Sequence, residues 1–229
     1  MLPGIEGKSI FNRNVALGLD RGGVQSAIEV YDWTTGIPGA FLANLTFYER
    51  NQRQAARLAR RITTRLRRDP QCAVHLIGHS AGGGVVVMTL ESLPSDVKVD
   101  SAILLAPALS PDYDLSRALR HTRHGVYNMY SPLDVGFLGV GTTVFGSVDR
   151  DRGPSAGVVG FEKPEHLSPE DQRLYEELLR QVKWTPRMRE YGANGTHTGW
   201  ASKEFASSYL APIIISDISG RALPSRYFE

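Results

Sequence analysis

The chain has 229 residues, of which 41% are hydrophobic, and this content suffices for one substantial core, so we expect a single domain over residues 1–229. The formal net charge of +2 at pH 7 is too small to indicate a nucleic-acid partner. With one cysteine, Cys72, no secretory leader and no apolar run of about 18 residues, the sequence predicts a cytoplasmic protein with no internal disulfide and no stable membrane insertion.

Four short apolar segments, each bounded by glycine, proline or polar residues, are predicted to be strands. They are residues 27–33 (AIEVYDW), 73–77, 99–106 and 126–130. Segments typical of helices lie between and after them, at residues 49–68, 85–90, 169–182 and 201–210. This alternation predicts an α/β fold in which a mostly parallel sheet is flanked by helices.

The predicted helix over residues 49–68 is unusually basic. It contains eight arginines, at positions 50, 53, 57, 60, 61, 65, 67 and 68, opposite an apolar stripe. Because no aromatic side chains are interleaved for stacking on bases, we interpret the arginines as a solvated outer face. Attraction to an anionic lipid surface is the alternative interpretation.

The segment HLIGHSAGGG, residues 75–84, places Ser80 between Gly78 and Gly82 at the end of a predicted strand. Glycines at these positions allow a strand-to-helix turn so sharp that the central serine projects from it, which is the geometry of a nucleophile elbow. Neither a P-loop nor a dinucleotide-binding motif fits, because no lysine follows the glycines and their spacing differs. Ser80 is therefore the candidate nucleophile, and an incidental serine in a glycine-rich turn is the alternative.

An activated serine needs a base and an orienting acid, which in this arrangement follow in the order Ser, Asp or Glu, His. Asp134 follows the predicted strand 126–130, and His197 lies in a loop of small residues near the C-terminus. Asp112, which follows the preceding strand, is the competing acid, and capping of a helix is the structural alternative for Asp134. The other histidines fit the order or the setting less well: His75, His79, His121, His124 and His166.

An acyl-transfer site also needs two backbone N–H groups that face the developing oxyanion. One is expected from Ala81, directly after the nucleophile. The second is expected from Ile5 in the segment LPGIEG, because its glycines let the backbone approach a substrate closely. A flexible terminal turn is the alternative for this segment.

Together, the G-H-S-x-G elbow, the LPGIEG loop and the order of Ser80, Asp134 and His197 resemble the α/β-hydrolase superfamily, in particular its bacterial esterases and lipases. The resemblance covers nearly the whole chain. It implies Ser80 as nucleophile, His197 as base, Asp134 as orienting acid, and the amides of Ile5 and Ala81 as the oxyanion hole. Members of the family usually have a hairpin and a full strand before the oxyanion loop, so here the N-terminal strands are expected to be reduced or missing and the loop to be weakly anchored.

The expected function is that of a serine carboxylesterase acting on small esters with short acyl chains. The alternatives are a thioesterase, an amidase or a non-catalytic binding module. Residues 107–125 are too few for a large cap domain, whereas the segment 136–184 could partly cover the site. Trp33, Phe137, Leu138 and Trp200 are candidates for the acyl pocket, with core packing as the alternative for each. No cofactor or metal is expected, and the sequence does not indicate whether the chain forms homo-oligomers.

Overall fold

A four-stranded parallel sheet forms the centre of the protein, which we describe from a computed structural model over residues 1–37, 47–134 and 153–220. The strands are β1 (His75–His79), β2 (Ser101–Leu105), β3 (Val126–Tyr130) and β4 (Leu179–Lys183), and they lie side by side in chain order. His75 is in register with Ser101, and Val126 with Leu179. Because all the strands are parallel, their carboxyl ends meet at one edge of the sheet. The structure therefore has the predicted α/β architecture with flanking helices.

Within the described residues, six helices precede β4. They are α1 (Ile10–Arg21), α2 (Tyr48–Arg68), α3 (Ala81–Glu91), α4 (Ser116–Arg120), α5 (Ala156–Val159) and α6 (Pro169–Leu178). Helix α3 follows β1 immediately and is buried on all sides, which agrees with its apolar sequence, and α2 packs against it. Helix α1, which the sequence analysis did not predict, packs against residues of the C-terminal helices.

The arginines of α2 lie mostly on its exposed face, as interpreted from the sequence. Arg61 pairs with Glu29 at 2.8 Å and Arg67 with Asp96 at 3.4 Å, and both ion pairs are open to solvent. Arg50 differs from the others because its guanidinium donates to the carbonyl oxygens of Trp33 and Thr34. This arginine therefore fixes residues 33–34 rather than forming part of the solvated face.

The prediction of a strand at residues 27–33 was wrong. This segment has no strand pairing, and its backbone contacts with the N-terminus are two hydrogen bonds, from Tyr31 N–H to the carbonyl of Met1 and from the Met1 amino group to the carbonyl of Glu29. Leu2 lies beside β1 instead, where it forms a parallel bridge with Gly78. The β-branched and aromatic residues that suggested a strand serve a different purpose, because Trp33 is fully buried against the N-terminal segment.

The helix predicted over residues 169–182 ends at Leu178, and the following residues form β4. The chain changes from helix to strand here because it pairs with β3. The pairing begins at Leu179, and beyond the strand Trp184 N–H donates to the Tyr130 carbonyl at 2.8 Å. Gly125, with φ +103°, allows Leu178 to come close, because a Cβ at that position would overlap the Leu178 carbonyl. Tertiary pairing thus overrides the helical propensity of the segment.

The C-terminal helix predicted over residues 201–210 is longer and less regular than expected. A 3₁₀ turn (Gly199–Ala201) leads into α7 (Lys203–Phe205), a π-helical turn (Ala206–Leu210) and α8 (Ala211–Ser219). The wide turn ends two residues before Pro212, which lies in the first turn of α8 and has no N–H to donate to the preceding turn. Among the helices described above, none combines the length and the apolarity needed to cross a bilayer.

Candidate active site

Ser80 occupies the sharp turn between β1 and α3. Its backbone angles are φ 56° and ψ −126°, a conformation that costs a non-glycine residue about 1–3 kcal/mol. The turn is held at both ends of the residue: Ser80 N–H donates to the Leu105 carbonyl at 2.9 Å, and the Ser80 carbonyl accepts from Gly83 and Ala108. The side chain is therefore presented from a strained but firmly anchored backbone at the carboxyl edge of the sheet.

The glycines around Ser80 are required by close backbone contacts. A Cβ on Gly78 would lie 2.5 Å from the carbonyl oxygen of Gly82, and a Cβ on Gly82 would overlap the carbonyls of Leu2 and Pro3. Any larger residue at these two positions would displace either the turn or the N-terminal segment. Gly78 and Gly82 thus flank the serine for the steric reason that the sequence pattern indicated.

His197 and Asp134 form a buried hydrogen-bonded pair. His197 Nδ1 lies 2.7 Å from Asp134 Oδ2, and the two residues are only 5% and 2% exposed. Asp134 follows β3 in a tight turn, in which its N–H donates to the Ser131 carbonyl at 3.0 Å. Because a carboxylate only accepts, Nδ1 carries the proton, and Nε2 is left as the basic nitrogen of the ring.

The loop that carries His197 is fixed by its neighbours. Gly195, with φ +84°, lies against the Trp184 ring, where a Cβ would come within 2.9 Å of two ring carbons. The Trp184 indole N–H donates to the Ala193 carbonyl at 2.9 Å, and Asn194 Oδ1 accepts from Thr196 N–H at 3.0 Å. These contacts hold the histidine in place although it lies in a loop of small residues.

The competing residues lie elsewhere. Asp112 is exposed, and its side chain forms no hydrogen bond or ion pair within the described part of the chain. His121 Nδ1–H donates to the Val97 carbonyl, His166 is exposed, and His75 contacts Ser101 at the opposite end of β1. The residues that the sequence pattern selected as acid and base are the ones that contact each other.

His79, which the sequence analysis considered only as a rival base, connects the elbow to the loop of His197. Its Nε2 lies 3.0 Å from the carbonyl oxygen of His197, and the centroids of the two imidazole rings are 4.8 Å apart. Since a carbonyl only accepts, Nε2 is the protonated nitrogen of His79. Burial, reinforced by the neighbouring His197 ring, lowers the pKa of His79 to about 3, so this histidine is neutral. The pattern could place a histidine beside Ser80 but gave no sign of this contact.

The candidate oxyanion loop is well anchored, contrary to the expectation from the sequence. Leu2 N–H donates to the Ile77 carbonyl at 2.7 Å, and the Trp33 indole N–H donates to the Pro3 carbonyl at 2.7 Å. A turn closed by Gly7 N–H and the Gly4 carbonyl carries Ile5 at its tip. A Cβ on Gly4 would be 3.3 Å from the Ser80 Cβ, so the loop passes directly beside the candidate nucleophile. Ala81, the other candidate donor, is the first residue of α3.

Comparison with known proteins does not extend these observations. No family model, no curated protein and no solved structure matches the chain.

The remaining candidates from the sequence have different outcomes. Phe137 and Leu138, and the first part of the segment 136–184 that could cover the site, lie outside the described residues. Trp33 and Trp200 are fully buried in the core, as the alternative interpretation had it. Over residues 1–37, 47–134 and 153–220, no group of three or more histidine, cysteine or acidic side chains is arranged to hold a metal ion.

Proposed function

We propose that the chain is a serine carboxylesterase of the α/β-hydrolase type that acts on small carboxylic esters with short acyl chains. The observation that carries the proposal is the buried contact of 2.7 Å between His197 Nδ1 and Asp134 Oδ2, in a loop that is tied to the residue next to Ser80. A buried carboxylate on one imidazole nitrogen fixes the ring orientation and stabilises the imidazolium that forms during acyl transfer.

In the proposed reaction, Ser80 Oγ attacks the ester carbonyl carbon while His197 Nε2 accepts the hydroxyl proton. The tetrahedral intermediate collapses to an acyl-serine, and the imidazolium returns the proton to the departing alkoxide, which leaves as the alcohol. Water then attacks the acyl-serine, and His197 takes a proton from the water and gives it to Ser80 Oγ as the acid leaves. The reaction needs no external cofactor.

The negative charge on the former carbonyl oxygen is assigned to the amides of Ala81 and Ile5. Ala81 N–H stands at the start of α3, where the first N–H groups of a helix have no partners within the helix. Ile5 is carried by a turn that is fixed through Pro3 and Leu2. Loss of one such donor typically lowers turnover by about 10²–10³-fold, so the anchoring of this turn matters to the rate.

Labelling with a fluorophosphonate probe tests the proposal. We expect one stoichiometric adduct, mapped by peptide mass spectrometry to Ser80 and absent from Ser80→Ala, because a serine activated by its base reacts readily with such a probe. Ser95→Ala is the matched control, since it removes an exposed serine on the surface. A folded wild-type protein that is not labelled, or labelling that persists in Ser80→Ala, would contradict the proposal and favour a binding module.

A further inference from the structure

A carboxylate lies beside the candidate nucleophile, on the oxyanion loop. A Cβ on Gly4 would lie 3.3 Å from Ser80 Cβ and closer still to Glu6 Oε2. The glutamate side chain therefore folds back over Gly4 and occupies the space that a larger residue would fill. Its charge is next to the atoms that the proposed reaction involves.

The carboxylate is oriented by contacts on its own loop. Ser9 Oγ, at the N-cap of α1, lies 3.3 Å from Glu6 Oε1 and 3.4 Å from Asn12 Oδ1, and its hydroxyl proton serves both acceptors. The hydrogen bond from Gly7 N–H to the Gly4 carbonyl closes the turn around Glu6. One oxygen thus lies near Ser9 Oγ, and the other lies against Gly4, which is itself beside Ser80.

Glu6 forms no ion pair within the part of the chain that the structure describes. The nearby Asp32 is different, because it interacts electrostatically with Arg50. His79, the ring next to Ser80, is neutral and supplies no positive charge. A negative charge without an ion-pair partner at this place opposes the oxyanion that forms when an ester is attacked.

We propose that Glu6 makes the site selective for esters that carry a cationic ammonium group close to the scissile carbonyl; this inference rests on the proposed esterase function. The substrate cation supplies Glu6 with an ion-pair partner, and it offsets the repulsion between Glu6 and the oxyanion. The ammonium group belongs either to the alcohol part of the ester or to its acyl part. Both kinds of substrate share the same recognition chemistry, and the experiment separates them.

Two pairs of esters, matched in shape, test the proposal through their kcat/KM values at neutral pH. The first pair is acetylcholine and its neutral carbon isostere, in which a tert-butyl group replaces the trimethylammonium group. The second pair is ethyl β-alaninate and ethyl butanoate, in which the charge lies on the acyl side. We expect the wild type to prefer the cationic member of at least one pair by about tenfold, and the preferred pair identifies the side of the ester that faces Glu6.

Glu6→Gln keeps an oxygen for Ser9 and removes the charge, so the preference should fall to nearly one, with faster hydrolysis of the neutral ester. Glu177→Gln, an exposed change of the same kind on α6, should leave the preference intact. Fluorophosphonate labelling of Ser80 serves as the check that the variant is folded and active. The preference should also weaken as salt is added, because part of the site is open to solvent.

The outcomes distinguish the two proposals. If the neutral esters are hydrolysed and either no pair shows a preference or Glu6→Gln keeps it, the role of Glu6 is overturned and the esterase function stands. If no ester is hydrolysed and Ser80 is not labelled, the esterase function itself fails, and the inference about Glu6 fails with it.

Discussion

Asp134 and Asp112 carry the same charge but occupy opposite environments. Asp134 is buried against His197, whereas Asp112 is exposed and lies apart from it. We expect Asp134→Asn to lower kcat by about 10⁴-fold, because an amide in place of the carboxylate permits the wrong imidazole tautomer without changing the shape of the site.

Asp112→Asn is the control for this prediction, since it removes the same charge from the surface and should leave kcat almost unchanged. Steady-state ester hydrolysis measures both variants, and circular dichroism verifies that both are folded. Loss of activity in Asp112→Asn together with normal turnover in Asp134→Asn would assign the orienting acid to the connection after β2.

At the scale of single residues, the sequence was informative where a role depends on order along the chain. Ser80, Asp134 and His197 could be selected because a glycine-flanked serine, an acid after a strand and a late histidine recur in that order. The contacts of His79 and Glu6 could not be predicted from the sequence, because each contact depends on which loop folds back onto the residue. A histidine inside a strand and a glutamate between two glycines have many other roles.

Helices and strands were predictable where one segment alone determines its structure. The strands β1 to β3 and helix α2 lie close to their predicted positions, since each has the apolar pattern of its class. Residues 179–183 and 27–33 show the opposite case. Residues 179–183 form a strand because β3 is available as a pairing partner. Residues 27–33 do not, because Leu2 already occupies the edge of β1.

Trp33 links this non-strand segment to the candidate oxyanion loop. Its indole N–H donates to the Pro3 carbonyl, so Trp33→Phe removes the anchor while keeping an aromatic ring in the core. We expect kcat to fall by about tenfold or more, because a catalytic group displaced by a fraction of an ångström loses much of its effect. Ester hydrolysis and the rate of fluorophosphonate labelling both measure this change.

Trp200→Phe provides the matched control for Trp33. Trp200 is equally buried, but its indole N–H has no hydrogen-bond partner among the residues that the structure describes. Both substitutions remove the same volume from the core, so a difference in kcat reports the hydrogen bond to Pro3. Equal losses in the two variants would mean that packing, and not the anchor, sustains the activity.

For the molecule as a whole, the buried neutral histidine makes stability depend on pH. His79 has a pKa of about 3 in the folded protein and an ordinary value near 6.5 when unfolded, so the unfolded state binds more protons between these values. The contribution of His79 to the free energy of unfolding is fully present above about pH 6.5. It is lost as the pH falls towards 3, by up to about 1.4 kcal/mol per pH unit.

Denaturant unfolding at a series of pH values, for the wild type and for His79→Gln, measures this contribution. Burial also lowers the pKa of His75 and raises those of Glu91 and Asp217. His75 therefore adds to the loss of stability at low pH, whereas the two carboxyl groups oppose that loss. These groups are common to both proteins, so the difference between the two curves isolates His79. We expect a flatter curve for His79→Gln, and parallel curves would show that His79 does not titrate as a buried group.

Because Leu2 carries the candidate oxyanion loop and is attached to β1 at one point, the site can be lost while the sheet remains folded. Leu2 is held to β1 by two backbone hydrogen bonds, one from its own N–H and one to its carbonyl, whereas β1 to β3 are each paired along their length. The loop is anchored in the native state, but a segment with only two hydrogen bonds to the sheet opens at a lower free energy than strands that are paired along their length. Mild denaturant should therefore extinguish catalysis while the sheet persists, and the amide of Leu2 should exchange its hydrogen well before the amides of β2.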